Sequence, residues 1–416
     1  MPIQEPMLND DSSPLPLGRR ELLALIAALM ALMALGIDML LPAFDDIRVA
    51  YGLSEDSSAP GQLITIYFVG LAIAQLFFGP LSDWFGRKPI IFIGVSIYII
   101  GAIGSALSPN FATLLAFRFI WGIGAAGTRV VAVAVVRDCF EGSQMAKAMS
   151  EIMAVFVLVP VIAPTFGAGL IAILPWESIF WFSAVFAVGM SVWSLRLPET
   201  LNPEYKVKFN WSSTKRGYGR VLRTRITAFY TLSSVCLQAV FVMYLSSSER
   251  IISDILGRGD QFPIIFGVVA IGFGITAFIN GKLVMAIGIQ KLLFGASIFL
   301  VFSSSVLMVV TLINEGTPNF WLFIPVLAVV LGTFMFIMPN LNSAALFPMG
   351  DIAGTASAFT SAIRMSIGAA IGGVLNSLIK DSLTPFAVGV VCMAILTMVT
   401  IFVAGDPEPE RDYLPN

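Results

Sequence analysis

Histidine is absent from all 416 residues, so the side chain that most readily carries protons near neutral pH is missing. Charge is scarce as well: Asp, Glu, Lys and Arg make up 12% of the chain, against roughly 25% in an ordinary soluble domain. The net charge of −2 lacks the basic excess that a nucleic-acid partner demands. Cysteine is limited to Cys139, Cys236 and Cys392, far apart and without a C-x-x-C pair, which argues against a disulfide framework and a metal centre. No G-x-x-x-x-G-K loop is present to cradle the phosphates of ATP. Residues 1–18 lack the charge-then-apolar order of a signal peptide.

What is abundant is apolar. Of the chain, 57% is hydrophobic and the mean hydropathy is +0.89, with repeated apolar runs of about 20 residues, the length of a membrane-spanning helix. The short alternating segments of a β-barrel are missing. The runs predict an all-α membrane protein with twelve transmembrane helices, near 22–44, 61–81, 89–108, 112–136, 148–174, 177–197, 224–246, 263–282, 290–313, 319–343, 353–377 and 383–404. Cytoplasmic loops retain Lys and Arg. Seventeen of the 24 cations fall on the side of the N-terminus. Four (Arg48, Arg250, Arg258 and Lys380) fall opposite, and three (Arg118, Arg129 and Arg364) lie within helices. Both termini are therefore expected in the cytoplasm, with the first helix as its own signal anchor.

The longest polar insert, 198–223, is rich in cations and lies midway. It divides the chain into a tail (1–21), a six-helix half (22–197), a cytoplasmic linker (198–223), a second six-helix half (224–404) and a second tail (405–416). A faint repeat supports the division: Gly79-x-Leu81 with Gly86 recurs as Gly281-x-Leu283 with Gly288, each after the second helix of its half. Two similar halves are how many transporters are built, with the substrate site between them.

Particular segments then become recognisable. Gly79-Pro-Leu-Ser-Asp83-Trp-Phe-Gly86-Arg87-Lys88 resembles the loop between helices two and three that marks the major facilitator superfamily. The resemblance continues in Leu114-x-x-x-Arg118-x-x-Trp121-Gly122 in the fourth helix and Ala163-Pro164-x-x-Gly167-x-Gly169 in the fifth, the latter similar to the superfamily's antiporter motif. Ile37-Asp38 through Ala43, Val136-Arg137-Asp138 and Leu197-Pro198-Glu199-Thr200 are similar to the bicyclomycin/chloramphenicol-resistance branch of drug:proton antiporters. Matches in the second half are thinner, the best being Pro339-Asn340 and Ile352 through Ser357. Two positions depart from the pattern: Trp84 stands where a basic residue is usual, and Trp121 where glutamine is frequent. The resemblance implies a major facilitator fold in a bacterial inner membrane, with a proton gradient in place of any cofactor.

Asp38 is the one ionisable residue of the first apolar run, and a carboxylate there costs several kcal/mol unless something rewards it. By helical rise it sits ~24 Å from the cytoplasmic edge, while Arg118 sits ~9 Å from the outer edge. In a core ~30 Å thick the two depths match. Burial and a nearby guanidinium act in opposite senses on a carboxylate's proton affinity, so such an Asp can titrate near neutral pH. The pair either couples protons or tethers helices one and four as a fixed ion pair. Arg129, ~20° from Arg118 on the same helix face, is read as snorkelling near the inner surface. Arg364, ~17 Å deep, has Asn340 and Asn342 as candidate neighbours and either serves function or meets backbone groups.

Asp83 is expected at the N-terminus of the eleventh helix, where the dipole is positive. Arg87 is expected on Asp138. With Gly79, Gly86 and Lys88 these form, in the resembled family, a latch between two conformational states. Tyr67, Trp121, Phe156, Gln238, Phe241 and Tyr244, with Asn340 and Arg364, are candidates for an apolar substrate cavity, although core packing or lipid contact is open for each. Glu249 is read as a second acid at a solvated helix end. The leading reading is a monomeric antiporter that exports small lipophilic compounds for protons. The rivals are a proton symporter or uniporter for a metabolite on the same fold, and a membrane receptor or enzyme.

Overall fold

The computed structural model describes residues 17–54, 57–140, 142–202, 206 and 211–406. Most of the expected tails, and linker positions 203–205 and 207–210, fall outside these. Every regular element among the described residues is helical. In chain order they are α1 (Arg19–Asp38), α2 (Phe44–Ala50), α3 (Gln62–Phe85), α4 (Arg87–Ala106), α5 (Phe111–Cys139), α6 (Gly142–Ile171), α7 (Ser178–Ser194), α8 (Trp211–Arg223), α9 (Arg225–Arg250), α10 (Phe262–Ile287), α11 (Ile289–Ile313), α12 (Phe320–Leu346), α13 (Ala353–Ser377) and α14 (Thr384–Ala404).

Among the described residues, eleven helices are long and apolar enough to cross a membrane. The twelfth expected span, α7, has 17 residues, or ~26 Å by helical rise. Bonds of the i→i−3 type carry its spiral on to Leu197, through Leu195 N–H to Val192, Arg196 N–H to Trp193 and Leu197 N–H to Ser194. These turns make up the missing length.

Three elements differ from expectation. The first apolar run is not one helix. It stops at Asp38, tightens into a 3₁₀ turn over Leu41–Ala43 and restarts as α2. Pro42 sits in that turn and has no N–H to continue an α-helical ladder. The expected linker contains a helix of its own, α8. Finally, α9 runs to Arg250 and continues as a π-helical turn, Ile251–Ile255. Glu249 and Arg250 are therefore 2% and 5% exposed rather than solvated, with Arg250 Nε donating to the Lys380 carbonyl at 3.0 Å.

Contacts divide the chain into two units, Met1–Leu53 with Ile66–Phe209, and Ser54–Thr65 with Asn210–Asn416. In the first, α4 packs against α5 and α7, while α1 packs against α5 and α6. The α4–α5 approach is close enough that a Cβ at Gly124 would collide with the Tyr98 backbone, and one at Gly94 would lie 3.0 Å from the Gly127 Cα. Small residues that let backbones meet replace the hydrophobic drive that is weak between helices in lipid. In the second unit α9 is the hub, against α12, α13 and α14. Asn376 Nδ2 donates to the Ser58 carbonyl at 3.3 Å, which is one reason Ser54–Thr65 groups here.

The internal repeat extends to the backbone. Gly86 before α4 has φ +112° and ψ 163°, and Gly288 before α11 has φ +80° and ψ 158°. Both need glycine, because an L side chain is strained at positive φ.

Gly124→Ala is expected to lower stability by about 1–3 kcal/mol through overpacking. Gly189→Ala, on the open face of α7 where a Cβ meets nothing within 4 Å, should be neutral or slightly stabilising. Thermal unfolding of the purified proteins in one detergent compares them, and equal shifts would refute the close α4–α5 approach.

Candidate functional site

The broken end of α1 organises the first unit. An α-helix leaves its last four carbonyls without intrahelical partners, and in a bilayer no water makes good the loss. Gly36 O would accept from Leu40 N–H in a continuous helix, but that N–H turns to Ile37 O at 3.3 Å. Arg118, reaching in from α5, fills the vacancy: its Nη1 donates to Gly36 O at 2.7 Å. Two tyrosines grip the preceding carbonyls. Tyr98 Oη on α4 donates to Leu32 O at 2.9 Å, and Tyr67 Oη on α3 to Met33 O at 3.2 Å. Gly36 accommodates both rings, since a Cβ there would lie 3.0 Å from the Tyr67 hydroxyl and 3.4 Å from that of Tyr98.

Arg118 has no exposed surface. Its guanidinium carbon lies 4.7 Å from the Tyr67 ring centroid and 4.8 Å from that of Trp121, a desolvated cation–π arrangement of the kind that contributes ~2 kcal/mol. The negative C-terminal end of the α1 dipole faces the same cation. Arg118 caps the last turn of α1. Asp38 itself is the last residue of α1 and is 5% exposed.

Trp121 is a correction. Expected as a cavity wall, it is fully enclosed, with edge-on contacts to Tyr98 at 5.3 Å, Phe180 at 5.6 Å and Tyr67 at 6.3 Å. Tyr67 is equally enclosed. These aromatics form the casing of Arg118 and have no surface with which to line a cavity. Phe156 on α6 is half-buried, as is Arg129.

The motif on α6 lies beside the same break. A Cβ at Gly167 would collide with the Met39 carbonyl, so the glycine lets α6 rest on the backbone just beyond Asp38. Gly169 has open space around it. Pro160 and Pro164 both fall inside α6.

The loop between α3 and α4 carries an ion cluster, and the expected Arg87–Asp138 pair is present. Arg87 Nε donates to Asp138 Oδ2 at 2.7 Å and Nη2 to Oδ1 at 3.3 Å, while Nη1 donates to Ser82 Oγ at 2.8 Å and Asp83 Oδ1 at 2.6 Å. Thr200 Oγ1 also donates to Asp138, at 3.3 Å. Glu199 accepts from the N–H groups of Arg87 at 2.8 Å, Lys88 at 3.2 Å and Leu201 at 3.0 Å, so it caps α4 from a distant segment. Lys88 Nζ reaches the Leu195 carbonyl at 2.8 Å. At Gly79 a Cβ would meet only Val130, at 4.0 Å, so no close approach requires glycine there.

In the second unit Gln238 and Tyr244 on α9 are 5% and 1% exposed. Tyr244 stacks on Phe266 at 5.9 Å, and Phe241 meets Phe273 edge-on at 6.4 Å. Arg364 on α13 is 8% exposed. Asn340 Nδ2 donates to Asn280 Oδ1 at 2.6 Å and to Phe336 O at 2.9 Å. Asn280, buried on α10, escaped the sequence reading. An uncharged amide inside an apolar run is a weaker anomaly than a charge, yet it needs a partner just as surely.

Comparison with known proteins agrees with this architecture. Residues 26–373 match the family model described as Major Facilitator Superfamily. The chain is 30% identical to the uncharacterized MFS-type transporter YdgK of Bacillus subtilis, over 87% of this chain and 90% of that one. It is 27% identical to a bicyclomycin resistance protein homolog of Haemophilus influenzae, over 88% and 92%. It is 29% identical to the multidrug resistance protein MdtL of Escherichia coli, over 64% and 66%. Among solved structures, a D-xylose–proton symporter superposes with a TM-score of 0.72 at 14% identity, covering 91% of this chain and 97% of that one. The human organic anion transporter MFSD10 gives 0.67 at 18%, covering 93% and 100%. At such identities the structural likeness speaks to the fold alone.

Trp121→Ala is expected to cost about 3–5 kcal/mol, the range for emptying an enclosed aromatic site. Trp121→Phe should retain most of the stability. Unfolding midpoints in detergent measure both, and a loss below about 1 kcal/mol for the alanine variant, the surface-like range, would mean that the ring is not part of the core.

Proposed function

The chain belongs to the major facilitator superfamily, and from that premise we propose that it is a proton-coupled efflux antiporter of a bacterial cytoplasmic membrane. It exports small lipophilic compounds by alternating access, as a monomer without a cofactor, with both ends of the chain in the cytoplasm. The transporter class and the multi-pass membrane architecture follow from the family and the eleven apolar spans; the coupling ion, the direction and the substrate class are the proposal.

The observation that carries it is Asp38. In a chain without histidine, this carboxylate lies almost wholly enclosed at the point where the first span breaks. Arg118 sits on the adjacent carbonyl of Gly36. Placed this way, the cation holds the broken turn in shape while Asp38 gains and loses its proton, so the two roles separate. Gly167 of the antiporter-like motif abuts the residue after Asp38, which gives a packed route from the state of the carboxylate to the position of α6. A proton entering across 100 mV supplies ~2.3 kcal/mol, and each pH unit adds about 1.36 kcal/mol. The names of the Haemophilus and Escherichia relatives, bicyclomycin resistance and multidrug resistance, support lipophilic antibiotics as the exported class.

Inverted membrane vesicles with an acidified lumen and a trapped pH-sensitive dye test the proposal. Adding chloramphenicol or bicyclomycin should make the lumen less acid as protons leave in exchange. Asp38→Asn, present at wild-type abundance, should abolish the response. Proton release retained in that variant overturns the assignment of Asp38, and a lumen that stays acid with the wild-type protein across a panel of antibiotics overturns drug:proton antiport.

A further inference from the structure

The second unit carries an apolar groove outside the candidate residues described above. It has a volume of about 610 Å³ and lies among α10, α11 and α12. Its floor is open because side chains are missing there: a Cβ at Gly272 or at Gly295 would meet nothing within 4 Å. Its walls include large apolar side chains that face outward, among them Ile275 (56% exposed), Leu283 (41%) and Phe299 (48%). The two hydroxyls in the lining are satisfied within their own helices, Thr276 by Phe273 O at 3.0 Å and Thr333 by Val329 O at 2.8 Å. An occupant therefore meets hydrocarbon. At one end stands an exposed cation, Lys291.

We propose that this groove is a binding site for an anionic phospholipid, one acyl chain lying along Gly272 and Gly295 and the phosphate at Lys291. Three features of the groove fit that occupant. The groove belongs to helices long and apolar enough to span the membrane, and its walls expose large apolar side chains of the kind that lipid chains cover. From Gly272 to Ile287 on α10 it extends ~22 Å by helical rise, more than half of a ~30 Å hydrocarbon core and hence long enough for a chain from one leaflet. The single charge is at the end nearest the loop joining α10 to α11, where a headgroup would sit, and basic sites between spans favour anionic headgroups. The inference is independent of what the protein transports.

The test uses the full-length protein in detergent, exposed to phosphatidylglycerol or phosphatidylcholine with identical acyl chains and analysed by native mass spectrometry. Wild-type protein should retain one phosphatidylglycerol in preference to phosphatidylcholine. Lys291→Gln should lower that preference by about fivefold, the effect of one cation near an anionic surface, while still binding lipid. Gly295→Leu, which fills the floor, should lose the retained lipid with either headgroup. Gly272→Leu is the second filling variant should the first fail to fold. On the unmodified protein, phosphatidylglycerol bearing a photoreactive group in its acyl chain should label the peptide containing Phe299. Retention without headgroup preference, lipid binding unchanged by filling the floor, or labelling elsewhere each overturn the proposal. So does a dimer cross-linked through this face, which would assign the groove to a second copy of the chain.

Discussion

In a bilayer the backbone has nowhere to turn but to the protein itself, and α1 strains that constraint by ending inside its own apolar run. The Arg118–Gly36 bond is how the first unit meets it. Because Gly36 O is capped by a side chain from α5, the span can stop at Asp38 without orphaning its carbonyl. Because the capping group is a buried cation, it needs a casing, and Tyr67 and Trp121 provide the ring faces while Tyr98 and Phe180 hold Trp121 in place. Because α4 and α5 must approach closely to deliver those side chains, Gly94 and Gly124 lie where they do. One missing hydrogen bond thus accounts for a good part of the unit's sequence.

The corner between α3 and α4 solves a related problem with different means. Gly86 turns the chain at positive φ, exposing the first N–H groups of α4, and Glu199 accepts from two of them. Arg87 then spends its guanidinium on Asp83, Ser82 and Asp138. Three segments distant in sequence, 82–88, 138 and 195–201, meet in one network, so the buried Arg87 has several acceptors and does not bear burial alone.

Much of this could be read in the sequence. Span-length apolar runs gave the helices, and the distribution of Lys and Arg gave the expected topology. The Arg87–Asp138 pair followed from motif residues flanking neighbouring spans. What could not be read was the stopping point of α1. The run through Phe44 is apolar but for Asp38, and Pro42 within it lacks the N–H that would continue the ladder onto the Asp38 carbonyl. The depths assigned to Asp38 and Arg118 do bring Arg118 to the end of α1, but helical rise does not show that its guanidinium donates to the Gly36 carbonyl. Trp121 is ambiguous for a related reason: an aromatic on a span reads the same whether it faces a cavity or a cation. Glu249 looked like a loop residue because hydropathy falls near the end of α9, yet the helix continues past it as a π-helical turn.

The twin glycines Gly86 and Gly288 carry a last consequence. The two turns share a backbone shape, but only the first is surrounded by paired charges; residues 281–291 contain lysines and no acid. Salt screens exposed charges but acts much less on buried pairs, and the Arg87 side chain is 2% exposed. The corner at Gly86 is therefore a joint clamped by charges that persist across ionic strengths, while its counterpart at Gly288, where a Cβ would meet nothing within 4 Å, has the same turn without the clamp.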